Sequence, residues 1–352
     1  MNKVSSKQQK IISIMLSGKE MSSSEVYRNL LQIKETISLV TVKRSLSELT
    51  KSKRIESFGL GRSVKYRISE LGRIFSHIDV KNYVSIEPDK RFGLRNYNFK
   101  LLKNLPVDIF EEDEKKGLEA STENYNKRIK NLPLAIQKKE LERLVIELSW
   151  KSSKIEGNTY TLLDTERLIL DNKEATGRSR EETQMILNHK EAFDYVRQYS
   201  SQFQTMTRKN LEELHSVLVK NLNVGRGLRT RPVGITGSVY RPLDNVYQIT
   251  EAVDELIKQI KKNRNPYAKA LIALLGISYI QPFEDGNKRT ARLMANALLI
   301  SNSLSPLSYR SVDEEEYRSS MLVFYELNSL IQIKKIFIEQ YEFAAENYTA
   351  KM

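Results

Sequence analysis

The first seventy residues switch between two periods of hydrophobic and polar positions. Residues 6–16 (SKQQKIISIML) and 22–31 (SSSEVYRNLL) place apolar side chains at helical spacing, and the serines opening the second run suit a helix N-cap. A third helix is predicted over about 38–52. There Val42, Leu46 and Leu49 share one face and Thr41, Lys43, Arg44, Ser45 and Ser47 are expected to point outward. Residues 54–69 (RIESFGLGRSVKYRIS) then alternate on both sides of Gly59-Leu60-Gly61, as a hairpin does. Three helices followed by a basic hairpin predict a small α+β winged helix over residues 1–75. Residues 76–100 show no period, carry Pro88 and Gly93, and read as a linker. From 101 to 352 helical periods dominate, so the fold class is mainly α. The exception is 229–249 (RTRPVGITGSVYRPLDNVYQI), a β-like stretch with Gly237 at a plausible hairpin turn.

Composition narrows the chemistry. A chain of 352 residues with 40% apolar and 29% charged content can build real cores, and it contains no apolar run long enough for a membrane span. A soluble, cytoplasmic protein with no membrane partner is expected. The absence of cysteine excludes disulfides and thiolate chemistry, and His77, His189 and His215 have no metal-ligand spacing. Residues 1–70 hold fourteen Lys and Arg against six acids, so +8 of the net +13 lies in one fifth of the chain. That concentration points to DNA, with Thr41, Lys43, Arg44 and Ser47 facing the major groove and Arg62 and Lys65 on the wing. A protein-docking or dimerising module has the same pattern, so a homodimer stays open.

Residues 266–300 concentrate the chemistry. Pro266 opens a long apolar helix, Pro282 stops it, Gly286 frees the backbone, and Asn287-Lys288-Arg289 opens a second helix. Backbone amides, the positive end of a helix dipole and several cations thus meet at one point, which is how phosphate is bound. Arg289 and Arg292, three apart, share a helix face, and Asp285 is placed to hold a Mg²⁺ on those phosphates.

The string QPFEDGNKRTAR (281–292) resembles the Fic-family motif: His-Pro-Phe, any residue, an acid, Gly-Asn, Gly or Lys, Arg, two residues of any kind, and Arg. Two further stretches support the resemblance, which covers roughly 101–345. Ser152 through Gly157, with Glu156 four residues after Ser152, looks like the Fic inhibitory motif within a helix at about 141–158. The pair Ser153 and Glu156 also fits a helix-capping box. Ile235, Thr236, Gly237, Ser238, Val239 and Tyr240 look like the Fic flap, a β-hairpin that pairs with an extended target segment, although such a stretch can also simply cover a core.

The resemblance implies an all-helical Fic core with a β-hairpin flap and a protein adenylyltransferase activity, the transfer of AMP from ATP to a protein hydroxyl. Asp285 would hold Mg²⁺. The amides of Gly286 to Lys288, together with Asn287, would hold the α- and β-phosphates, Arg289 the β-phosphate and Arg292 the γ-phosphate. Ser152, Glu156 and Gly157 would restrain the site, with Glu156 pairing to Arg292. Gln281 stands where the family has its general-base histidine, and an amide cannot take a proton at neutral pH, so transfer is expected to be impaired. Lys288 stands where many members have glycine, as also occurs in members resembling kinase-like Doc toxins. The alternative is a non-enzymatic regulator that senses nucleotide and binds DNA through its winged helix.

Overall fold

A computed structural model describes residues 4–130 and 132–349. The chain divides into two compact units. The first takes in residues 4–106 together with 234–241 and 319–334, and the second the remaining described residues.

The N-terminal unit opens with α1 (Ser6–Met15), α2 (Ser23–Gln32) and α3 (Leu39–Lys51), followed by strands β1 (Ile55–Phe58) and β2 (Lys65–Ile68). Ser5, Ser22 and Ser38 each cap a helix by accepting a bond from a backbone amide three residues on, so the serines set where the helices begin. The strands pair antiparallel with Ile55 opposite Ile68 and Phe58 opposite Lys65, and Met21 bridges to Tyr66 on the same ribbon. Gly59 and Gly61 take positive φ at the wing tip. Short helices α4 (Glu70–Ile74), α5 (Val80–Val84) and α6 (Phe99–Lys103) follow. The core joins Ile11, Met15, Val26, Leu30, Val42, Leu46 and Leu49 to Tyr83, Val323 and Leu327.

One expectation in this unit fails. Ser45 is buried, because at 100° per residue it falls only about 60° from Val42 and about 40° from Leu49. Thr41 is half-buried, whereas Lys43, Arg44 and Ser47 are exposed.

The second unit is helical: α7 (Glu112–Ile129), α8 (Leu134–Ile155), α9 (Leu162–Asp171), α10 (Arg180–Gln198), α11 (Arg208–Leu218), α12 (Val246–Lys262), α13 (Pro266–Ile280) and α14 (Asn287–Ile300). Then come α15 (Glu314–Leu327), which runs from this unit into the first after Arg318, and α16 (Ile331–Asn347), most of which lies in the second. Helices α13 and α14 are buried along nearly their whole length, and the sequence of α13 accordingly lacks an amphipathic stripe. Around them α8, α10, α11 and α12 pack, and the loop between α13 and α14 emerges at the end of this core.

The stretch 229–249 forms no strand ladder. It turns at Thr236-Gly237, where the Ser238 amide donates to the Ile235 carbonyl at 3.1 Å, and Arg241 makes an isolated bridge to Asn96. The turn is therefore present where Gly237 was expected, and the hairpin pairing around it is not. Its internal bonds are those of the turn and of side chains, such as the Tyr240 amide on Ser238 Oγ, and the remaining partners lie on other segments.

Candidate active site

The loop from Gln281 to Gly286 is built by groups that leave it little freedom. Gln281 ends α13 in the left-handed conformation (φ +50°), unusual for a residue with a side chain and worth of order 1–3 kcal/mol of strain. It is retained because its Nε2 donates to the Ser278 carbonyl at 2.7 Å, and its own carbonyl accepts from Arg229 Nε at 2.7 Å. The Arg229 amide also donates to the Pro282 carbonyl at 3.0 Å. Arg229, almost fully buried, spends its other nitrogens on the Arg231 and Leu243 carbonyls.

Phe283 is fully buried, and the His215 ring from α11 stacks on it, parallel to within 5° at 3.7 Å. His215 Nε2 lies 2.9 Å from the Asp285 carbonyl, so this nitrogen carries the proton and donates. Burial pushes the imidazole pKa down to about 4, against a smaller upward pull from that hydrogen bond. Asn287 clamps the loop from the other side: its Oδ1 accepts from the Phe283 amide and its Nδ2 donates to the Phe283 carbonyl, both at 2.8 Å. The carboxamide of Asn287 is thus used on the loop itself. Gly286 then takes φ +76°, and a Cβ there would come within 3.1 Å of Val219 and 3.6 Å of His215.

After Gly286 the chain enters α14 with no side-chain cap on its first amides, so the N–H groups at the start of this helix have no intrahelical acceptor. Arg289 is nearly fully buried. One of its terminal nitrogens pairs with Asp285 at 2.9 Å, and the other, Nη1, has no hydrogen-bond partner among the described residues. Burial draws its pKa below the usual value. An orphan guanidinium N–H beside open helix amides fits a phosphate oxygen. The Asp285 carboxylate is 66% exposed at the same mouth and fits a Mg²⁺ that keeps several waters and takes its other ligands from phosphates. No group of three or more His, Cys, Asp or Glu able to enclose a metal exists among the described residues.

The other arginine faces α8. Glu156 is the C-cap of that helix, and Gly157 follows at φ +98°. This removes the capping-box reading of Ser153 and Glu156, since both stand at the C-terminal end. Glu156 Oε1 lies 2.8 Å from Arg292 Nη1 and Oε2 3.5 Å from Lys288 Nζ. The first contact is off the N–H axis, so charge holds it more than hydrogen-bond geometry. Ser152 supplies the aligned bonds, with Oγ accepting from Arg292 Nε at 2.9 Å and the carbonyl from Nη2 at 2.8 Å. Burial works against the charge of Glu156, yet Arg292 and Lys288 outweigh it and hold the carboxyl below its usual range. A carboxylate at a helix C-terminus opposes the helix dipole, so it depends on these cations; Arg318 meanwhile donates to the Ile155 and Lys154 carbonyls. The sequence-predicted residues Ser152, Glu156, Asp285, Lys288, Arg289 and Arg292 thus come together in the second unit, whereas Ile235 to Tyr240 belong to the first.

Three residues escaped the sequence reading. His215 packs directly against the loop although it stands 70 positions before Asp285 in the chain. His189, fully buried on α10 with neither ring nitrogen hydrogen-bonded among the described residues, is kept neutral by burial and by the charges of Arg292 and Arg289. Arg229 is, in the sequence, only the first residue of the β-like stretch 229–249. Each acts across a long stretch of chain, and no local spacing announces that.

On the winged helix, Lys43, Arg44 and Ser47 are exposed along α3, although Arg44 is tied to Glu48 at 3.0 Å. Arg62 and Lys65 are exposed on the hairpin, and Leu60 at its tip is 88% exposed.

Residues 205–299 match the model of the Fic/DOC family, and residues 2–88 match that of the Ferric uptake regulator family. The protein adenylyltransferase Fic of Nematostella vectensis is 29% identical over 185 residues, which is 51% of this chain and 43% of that protein. Protein adenylyltransferase fic-1 of Caenorhabditis elegans is 25% identical over 174 residues, 48% of this chain and 34% of that protein. The chain spans less than half the length of these relatives. Among solved structures, a segment of C. elegans Fic-1 superposes with a TM-score of 0.56 at 18% identity over 67% of this chain and 71% of that one. A Fic domain containing signaling protein from Bacteroides thetaiotaomicron gives 0.55 at 19%, over 65% and 94%. The matched residues run from just before α11 to the end of α14, so they include the whole loop from Gln281 to Arg292: this part of the chain is a Fic/DOC domain.

Proposed function

We propose that the chain is a Fic-type protein adenylyltransferase, restrained by Glu156 and impaired at Gln281. The observation that carries this reading is the pair of buried arginines at the open start of α14, one with an orphan nitrogen and the other gripped by a displaceable carboxylate. In this reading ATP lies with its phosphates over the α14 amides. Arg289 takes the β-phosphate through Nη1, and Arg292 is to take the γ-phosphate once it leaves Glu156. Mg²⁺ on Asp285 would neutralise phosphate charge. Asn287 serves by holding the loop closed on Phe283, a change from direct phosphate binding.

The reaction joins a protein hydroxyl oxygen to the α-phosphorus and breaks the bond to the β-phosphate, releasing pyrophosphate. The hydroxyl proton needs an acceptor. Gln281 leaves only an amide oxygen for it, which can orient the hydroxyl but not remove its proton. His215 does not replace it: Nε2 carries the proton and donates it to the Asp285 carbonyl, and Nδ1, the nitrogen left to act as a base, is buried away from any incoming hydroxyl. Residues 101–352 form the catalytic part in this reading, with Ser152, Glu156 and Gly157 as the restraint and 235–240 as the target flap. Residues 1–75 form a DNA-binding module using Thr41, Lys43, Arg44, Ser47, Arg62 and Lys65, joined through 76–100, all in a cytoplasmic setting.

The test is Gln281→His combined with Glu156→Gly, assayed with ATP labelled on the α-phosphate. Auto-modification or labelling of a lysate protein should rise by about two to four orders of magnitude over the unaltered chain. A double variant that binds MgATP and labels nothing defeats the transferase reading and leaves a nucleotide sensor in its place.

A further inference from the structure

One side chain fastens the segment read as the target flap. Glu326 of α15 is fully buried, and four groups converge on its carboxylate within the N-terminal unit. Tyr83 Oη donates at 2.8 Å, Arg91 Nη1 at 3.1 and 3.3 Å to the two oxygens, Ser238 Oγ at 2.7 Å and the Val239 amide at 3.3 Å. Its backbone carbonyl accepts from the Leu94 amide at 2.7 Å, and a Cβ on Gly93 would come within 2.7 Å of that oxygen. The stretch after α5 is thus laid against Glu326 from one side and the flap from another.

The two arms of the flap differ as a result. The Ser238 amide is used on Ile235, the Val239 amide on Glu326, the Tyr240 amide on Ser238 Oγ at 3.1 Å, and the Arg241 amide on the Arg95 carbonyl at 2.8 Å. Every amide from 238 to 241 is taken. The amides from Val233 to Gly237 donate to no described residue.

We infer that Glu326 is the positioning residue of the flap: it pins Ser238 and Val239 directly and Tyr240 through Ser238 Oγ, and leaves Val233 to Gly237 as the arm that accepts an extended protein segment by backbone hydrogen bonds. This rests on the reading of 235–240 as the target flap. A buried carboxylate that loses one partner leaves charge and donors unmatched, so Tyr83, Arg91, Ser238 and Val239 are held as a set. A displacement of the 83–94 stretch therefore reaches Ser238 and Val239 through one residue.

Hydrogen exchange on the full chain tests this, comparing it with Glu326→Gln, Ser238→Ala and Arg91→Lys. The amides of 238–241 should exchange about tenfold faster in Glu326→Gln and severalfold faster in the other two, with the amides of 281–292 unchanged. The Arg91 variant is the telling one, since Arg91 bonds to Glu326 and not to the flap. Protection of 238–241 that stays at the unaltered level in Glu326→Gln or in both milder variants overturns the inference, as does uniform loss across the chain in Ser238→Ala. If Glu326→Gln does not fold, the two milder variants decide. In a chain made competent by Gln281→His and Glu156→Gly, Ser238→Ala should raise KM for the target protein and leave KM for ATP alone; equal changes in both count against it. Because exchange needs no catalysis, an inactive double variant defeats the transferase reading without touching this result.

Discussion

Replacing Glu156 by glutamine should separate ATP from AMP. Arg292 uses Nε and Nη2 on Ser152, so Nη1, 2.8 Å from Glu156, is the nitrogen a γ-phosphate has to win. An interaction with a charged group of this kind is worth about 1.5–3 kcal/mol, and removing the competitor should tighten ATP binding roughly ten- to hundredfold. The Lys288 contact, at 3.5 Å with the lysine 36% exposed, adds at most about 1 kcal/mol. The same change leaves the fully buried Arg292 without its carboxylate, so the ligand-free fold should lose about 3 kcal/mol. Calorimetry with MgATP and with AMP, below the melting temperature of the variant, reads the difference directly. AMP lacks the phosphate that competes, and its Kd should change less than about twofold. Equal tightening of AMP and ATP, or no tightening of ATP by a folded variant, refutes the assignment of Arg292 and Glu156.

His215 should make stability depend on pH. Its folded pKa, about 4, lies below the unfolded value near 6.5, so the unfolded chain binds the proton more readily between them. The stabilisation is complete above pH 6.5 and falls as pH drops toward 4, by up to about 3 kcal/mol; buried neutral His189 acts with the same sign. Urea melts at pH 7, 5.5 and 4.5 should show this, and an equally steep dependence in His215→Gln excludes His215 as a source. For the winged helix, Lys43→Ala and Lys65→Ala in the full chain should each weaken duplex DNA binding and flatten its salt slope by about one unit. Binding that is absent or independent of salt in the unaltered chain removes the DNA reading. Gly286→Ala should cost both stability and ATP affinity, because it forces a side chain into a left-handed position against Val219; a melting temperature within a degree of the original counts against that.

Much of this molecule is written in local spacing. The caps at Ser22 and Ser38, the register of Ile55 with Ile68, the start of α13 at Pro266 and the turn at Gly286 all follow from residues within a few positions of one another. The cluster of Asp285, Arg289 and Arg292 is legible for the same reason: one loop and one helix turn hold all three. Glu156 required a second signal, since its partner lies 136 positions away. The hairpin expected at 229–249 fails because alternation and a glycine describe a strand edge without saying what pairs with it. Here Glu326, Arg95 and Ser238 Oγ take those amides. Arg229, His189 and His215 carry no mark in their neighbourhoods at all, because burial of a polar side chain against a distant backbone is decided by packing.

The core shared by Ile11, Val42 and Leu327 has a consequence for the order in which the protein can be made. The winged helix leaves the ribosome before the helical unit, but Val323 and Leu327 complete its interior only after the long intervening stretch has been synthesised. Until then the apolar face they cover stands open, and the early chain must wait, partly formed, while the helical unit is translated. Cutting the protein after residue 100 to obtain a free helical half therefore strips 319–334 of its packing, and the truncated product should be prone to aggregate.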